Sequence, residues 1–184
     1  MSAKNLDAGQ SIALTDTHPN ITDVIVGFGW NVVTSNSPDP ELVPMVLLLD
    51  DDGKVIDPDA VAFFNQLSAA GGAVRYVIGD DQEQVDIHLP GVPDTAANIV
   101  FLLFVNPDPR RPGTFRAVRN AYVQLADGDG GSIARASIPT GTADVNAVVA
   151  AELYRYNGAW KFRALGDGYT GGIQAVANDF GFTL

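Results

Sequence analysis

Two histidines, His18 and His88, are the available imidazole bases in this 184-residue chain, which has no cysteine. A serine–histidine–acid triad needs an imidazole held between a hydroxyl and a carboxylate. His18 precedes Pro19 in a polar stretch, and His88 falls on the polar side of an alternating run. Both read as surface histidines. No Gly-x-Ser-x-Gly elbow and no Walker loop occurs. Gly166-x-Gly168-x-x-Gly171 imitates a dinucleotide fingerprint, after a strand and before a helix. The sequence stops too soon after it for a second parallel strand and a ribose-binding acid about 20 residues on. Without cysteine there are no disulfides, zinc thiolates or thiol nucleophiles. The expectation is a protein that is not an enzyme.

The acids are the remaining chemistry. Asp and Glu number 22 against 11 Lys and Arg, a formal net charge of −11. Such a surface repels phosphate backbones, so no nucleic-acid partner is expected. Arg110-Arg111, in a proline-rich loop, is a local exception and reads as solvated. Acidity suits cations, and two Asp-rich turns invite comparison with an EF-hand. Aligned on Asp50, Asp52 and Gly53, loop positions one and twelve fall on Leu48 and Asp59. Leucine cannot ligate, and the bidentate glutamate is missing. Aligned on Asp127, Asp129 and Gly130, the same positions fall on Leu125 and Ala136. Both segments read as acidic hairpin turns, where Asp and Gly supply the turn geometry.

The elements around these residues are mostly strands. Asn157-Gly158 lies between two strand-forming runs and favours a type I′ hairpin. Beyond it Trp160, Phe162 and Ala164 point one way, Lys161 and Arg163 the other. A glycine-rich elbow from Gly166 to Gly172 then leads into a short helix. Its stripe is Ile173, Val176, Ala177 and Phe180, and Gly181 stops it. Further strands are read at Ser11 to Leu14 (a short edge), Val24 to Val33, Met45 to Leu49 and Val74 to Ile78. Gly27 and Gly29 within the second of these suggest a bulge or a close backbone approach. Val85, Ile87 and Leu89 alternate with Asp86 and His88, and Ile99 to Val105 is the most apolar run. Ala117 to Leu125 and Ser132 to Ile138 form another hairpin. Between Asp59 and Ala70 two readings compete: a helix, and a strand at Ala60 to Asn65. Residues 1 to 9 read as polar and loose. No βαβ alternation is visible. The pattern implies an all-β-dominated fold, a β-sandwich of two mostly antiparallel sheets with a few short helices including the C-terminal one.

Length allows a single domain over residues 1–184 that buries about 70% of its unfolded surface. No secretory leader pattern and no apolar run of transmembrane length is seen, so a soluble, cytoplasmic protein is expected.

The stretch from Glu152 to Gly172 also resembles the C-terminal signature of the TerD family, the tellurium-resistance and stress-response proteins of bacteria. Matching residues are Leu153-Tyr154-Arg155, Trp160 to Ala164, and Gly166, Gly168, Tyr169, Gly171 and Gly172. The strand with Gly27-Phe28-Gly29-Trp30 resembles the family's Val-x-Gly-x-Gly-Trp strand, and Phe63-Phe64-Asn65 resembles its Phe-Tyr-Asn element. The resemblance implies a calcium-binding β-sandwich that works in a stress-response assembly of proteins, reaching a membrane surface through partners. In that family two acidic segments carry the ions. One corresponds here to Glu41-Leu42-Val43-Pro44-Met45, where Val43 replaces an aspartate and Asp39 lies nearby. The other is shortened to Gly79-Asp80-Asp81-Gln82-Glu83. The ligand set so implied is Asp39, Glu41, Asp80, Asp81 and Glu83. With so few carboxylates, calcium binding is expected to be weak, with Kd of about 10⁻⁴–10⁻³ M, or lost. The alternative expectation is a calcium-independent protein-interaction module on the same scaffold.

Overall fold

The computed structural model describes residues 3–33, 38–64, 66–77, 83–140 and 144–183. Among them the first strands are β1 (Lys4–Leu6), β2 (Ser11–Ala13), β3 (Asp23–Val32) and β4 (Leu42–Leu49). Next come β5 (Val61–Ala62), β6 (Ser68–Ala69), β7 (Val74–Val77), β8 (Glu83–His88) and β9 (Asn98–Val105). The last four are β10 (Val118–Asp127), β11 (Ser132–Ser137), β12 (Ala147–Tyr156) and β13 (Ala159–Tyr169). One turn of helix, α1 (Leu14–Thr17), follows β2, and α2 (Gly172–Phe180) follows β13.

These strands make two sheets. The first has the order β1-β11-β10-β3-β8-β7-β6, the second β2-β13-β12-β9-β4-β5. Every pairing between them is antiparallel except β1 with β11. This is the expected sandwich.

The main core lies between the sheets and includes Val24, Val26 and Phe28 of β3 and Phe101 and Leu103 of β9. A second apolar cluster covers the other face of the second sheet. There Met45, Leu47, Leu102 and Val149 meet Ile173 and Val176 of α2. This explains why β4 is apolar without alternation: all of its residues are buried. A strand that is dry on both faces has no polar positions to alternate with. Each fully buried Leu or Phe contributes about 1.5–3 kcal/mol of transfer free energy.

The turn after β12 is as expected. Asn157 and Gly158 have φ of 50° and 78°, the left-handed pair of a type I′ turn. Gly181 ends α2 at φ 76°, and the N–H groups of Gly181 and Phe182 both donate to the Ala177 carbonyl. Lys54 donates from Nζ to the Asp179 carbonyl at 2.5 Å, tying the loop after β4 to the helix end.

Three features differ from the sequence reading, and one choice it left open falls to strand. Lys4–Leu6 is not loose: it pairs in parallel with Ala134, Arg135 and Ala136, and Leu6 is buried. Three residues are too few for a period to show. Leu14 leaves the edge strand and begins α1, where it is fully buried. Between Asp59 and Ala70 the structure forms β5 and β6 rather than a helix. Last, β13 runs on to Tyr169, so Gly166 and Gly168 lie inside a strand and not in an elbow. They make room for neighbours: a β-carbon at Gly166 would approach Pro139 to 3.3 Å, and one at Gly168 would approach Val145 to 3.4 Å. Gly171 is the one that serves the helix, since a β-carbon there would come within 2.8 Å of the Ala175 methyl.

Among the described residues no helix is long and apolar enough to cross a membrane.

Candidate functional site

The implied calcium ligands divide into three that are described and two that are not. Asp80 and Asp81 lie outside the described residues, as do Asn65, Ile78, Gly79 and Gln82. Glu41 stands just before β4 and extends its ladder with β9 by one pair. The Asn106 N–H donates to the Glu41 carbonyl at 2.8 Å, and Asn106 Nδ2 donates to Glu41 Oε2 at 2.9 Å. Asp39 is exposed, and its carbonyl accepts from the Arg111 guanidinium at 3.1 Å. Arg111 and Arg110 both pair with Asp108 in the same loop.

Glu83 opens β8 in the first sheet, opposite Phe28. Its carboxylate accepts from the Tyr76 hydroxyl. Burial first, and this carboxylate second, push the Tyr76 pKa up. The described carboxylates of Glu41 and Glu83 therefore belong to different sheets, each with its own protein partner. Among the described residues no group of three or more His, Asp or Glu side chains could hold a metal ion. Calcium needs six to eight oxygens at once. Asp39, Glu41 and Glu83 do not make that cradle by themselves.

The two Asp-rich turns use their carboxylates locally. Asp50 Oδ1 accepts from the N–H groups of Asp52 and Lys54, at 2.9 and 3.0 Å. Asp127 Oδ1 accepts from those of Asp129 and Gly131, at 2.9 and 2.8 Å. Gly53 and Gly130 supply positive φ in each. The same Asx geometry closes both turns, as turn chemistry requires.

An open depression of about 610 Å³ lies over one end of the first sheet, with Asp23, His88, Arg75 and Asp86 in its wall. His88 Nδ1 sits 2.9 Å from Asp23 Oδ1, and the side chains are 54% and 55% exposed. The Thr22 hydroxyl, then His88, hold the Asp23 carboxyl below its ordinary range. Among the described residues, no serine, threonine, cysteine or lysine lines the same depression as this acid–imidazole pair. The pair fastens the ends of β3 and β8 together, where Asp23 and His88 are register partners.

The motif residues after Glu152 are occupied with architecture. Glu152 is a buried acid, 9% exposed. It accepts from Asn98 Nδ2 at 2.9 Å and pairs with Arg163 at 3.3 Å. Arg155 stacks over Trp160, its cross-strand neighbour, at 4.3 Å. Its guanidinium also donates to the carbonyls of Val92, Pro93 and Ala96. The family model for the TerD domain matches residues 1–180. The chain belongs to the TerD family.

Relatives within it match at nearly full length. The chain is 34% identical over 190 residues to General stress protein 16U of Bacillus subtilis (strain 168), covering 98% of each. It is 33% identical over 186 residues to Tellurium resistance protein TerD of an Alcaligenes species, covering 96% of each. The fold is shared with the crystal structure of a TerD homologue from Streptomyces coelicolor A3(2). That match has a TM-score of 0.66 at 20% identity, over 86% of this chain and 96% of that one.

Against the TerD pattern, two residues near the first acidic segment escaped the sequence reading. Asn106 holds Glu41, and Arg111 holds Asp39. The signal for Arg111 was present: an arginine pair in an acidic chain. Its contact with a segment 72 residues away was not legible from spacing.

Proposed function

We propose that this TerD-family chain is a non-enzymatic stress-response domain of the tellurite-resistance type, with at most weak calcium binding through Asp39, Glu41, Asp80, Asp81 and Glu83. The supporting observation is the pair of contacts at the first acidic segment. Asn106 takes one oxygen of Glu41, and a guanidinium takes the Asp39 carbonyl. A calcium ion there would share the Glu41 carboxylate with the Asn106 donor and face the charge of Arg111. Both effects lower affinity.

The test is calorimetry with calcium chloride on the wild-type chain and on Arg111→Gln. The wild type is expected to show Kd of about 10⁻⁴–10⁻³ M, with tighter binding in the variant. Micromolar binding by the wild type would overturn the weak-binding reading. Absence of heat and of any thermal shift at millimolar calcium, in both proteins, would leave the second reading alone.

That second reading is a calcium-independent module that binds other proteins of a stress-response assembly in the cytoplasm. The observation favouring it is the exposure of Phe64 and Leu67, at 46% and 58%, on one border of the sandwich.

A further inference from the structure

We propose that the border where β5 meets β6 is a docking groove for a cationic, amphipathic segment of a partner protein. This rests on the interaction-module reading and names the surface and the chemistry of what fits it.

A groove of about 450 Å³ lies there, with Val55, Pro58, Val61, Phe63 and Phe182 in its wall. Phe63 and Phe182 pack on the outer core of the second sheet, so the floor is fixed. Phe64 stands edge-on to Phe63, with ring centroids 5.4 Å apart. Leu67 follows Gln66, which also lines the groove. Large apolar side chains left this open, next to a groove, mark an interaction surface.

The rim sets the partner's charge. Asp57 lines the groove, and Asp59 is tied to it by an N–H bond to Asp57 Oδ1 at 2.8 Å. Both are exposed. Lys54 is turned to the helix end, where it holds the Asp179 carbonyl. An apolar floor with an acidic rim, on a chain of net charge −11, complements a segment that carries lysine or arginine beside leucine-like anchors. A second copy of this chain would bring acid against acid.

The groove also selects how the segment binds. The border beside β5 is closed by its own turn, because Phe63 and Gln66 exchange two backbone hydrogen bonds. Gln66 Nε2 takes the Val61 carbonyl at 2.6 Å as well. Strand addition would need those groups free. The occupant therefore engages through side chains, as a helix face does.

The experiment uses the full chain and a fluorescein-labelled 18-residue leucine–lysine peptide whose leucines lie on one helical face. Fluorescence anisotropy compares it with a permuted peptide of the same composition. Phe64→Ser/Leu67→Ser is expected to weaken binding of the patterned peptide about tenfold or more. Asp57→Asn/Asp59→Asn is expected to weaken it about threefold or more, and to flatten its salt dependence. Asp94→Asn/Asp129→Asn removes the same charge elsewhere and should change affinity less than about twofold. All six of these side chains are exposed, so melting curves should match the wild type. Equal losses in both charge variants, with no loss on removing Phe64 and Leu67, would overturn the proposal in favour of unspecific attraction. Self-association of the wild type that Leu67→Ser abolishes would overturn it in favour of a second copy. Binding to phosphatidylcholine vesicles that Leu67→Ser abolishes would overturn it in favour of a lipid surface. None of these readouts depends on calcium, so the groove can fail while the interaction-module reading stands.

Discussion

The Arg155 guanidinium carbon sits over the Trp160 ring, 4.3 Å from its centroid, while its nitrogens reach three carbonyls of the connector before β9, those of Val92, Pro93 and Ala96. The two residues face each other across the β12–β13 ladder. A short motif pair thus fastens a loop to a sheet. Replacing Arg155 with Ala takes the guanidinium donors from the part-buried Val92 and Ala96 carbonyls, while the Pro93 carbonyl keeps the Ala96 N–H. The expected loss is about 2–4 kcal/mol in urea unfolding, given 1–3 kcal/mol for each buried group left unsatisfied and partial access to water. Arg155→Lys should recover less than half, since an ammonium cannot stack and fork together. A full rescue by lysine would show that charge alone matters.

Gly29 is needed because the Tyr122 ring rests on it, and Arg135 in turn covers that ring at 3.6 Å. Gly29→Ala would push the ring aside and break the stack, at a cost of about 1 kcal/mol. In a Tyr122→Ser background the same change should be neutral or stabilising, because alanine suits a strand better than glycine. A double-mutant cycle by thermal melting gives the coupling directly. Additive effects would rule out the contact.

Asp50 and Asp127 act through one carbonyl-like oxygen, which an amide retains. Asp50→Asn and Asp127→Asn should therefore change stability by less than about 0.5 kcal/mol. Asp127→Ala should cost about 1 kcal/mol through the two lost N–H bonds. Calcium calorimetry on the Asn variants should match the wild type. A stability loss in Asp127→Asn as large as in the Ala variant would point to a role for the charge.

Acidification should weaken the Asp23 clasp. The folded-state pKa of this carboxyl is depressed, by the Thr22 hydroxyl first and His88 second. A depressed acid adds stability above its unfolded pKa of about 3.9, and that stability fades as pH falls through the lower folded value. The melting temperature of Asp23→Asn should lie below that of the wild type at neutral pH, and the gap should close below about pH 4. The clasp is half exposed, so the gap is small and shrinks with salt.

The sandwich was legible because its strands carry their burial in their composition. β4 is apolar throughout and β9 is so from Ile99 on, and β8 alternates cleanly with Val85 and Ile87 inward. The Asn157-Gly158 turn and the helix stop at Gly181 were legible because positive φ leaves few residue choices. Lys4–Leu6 was not, since a parallel pairing with β11 is a tertiary fact. Gly166 and Gly168 misled because glycine marks close approach as well as turns. Here Pro139 and Val145 are what approach. At the acidic segments, the family resemblance is what points to Glu41. Its tether to Asn106, 65 residues away, needed the β4–β9 register.

The second sheet lies beneath α2 on one side and against the first sheet on the other. Deuterium should consequently enter the amides of β9 last, and only when the whole molecule opens. The two residues of β6, on an outer border, should exchange early. The slab would then stay rigid while its margin breathes, so an incoming segment could be fitted at the margin without any cost in global unfolding.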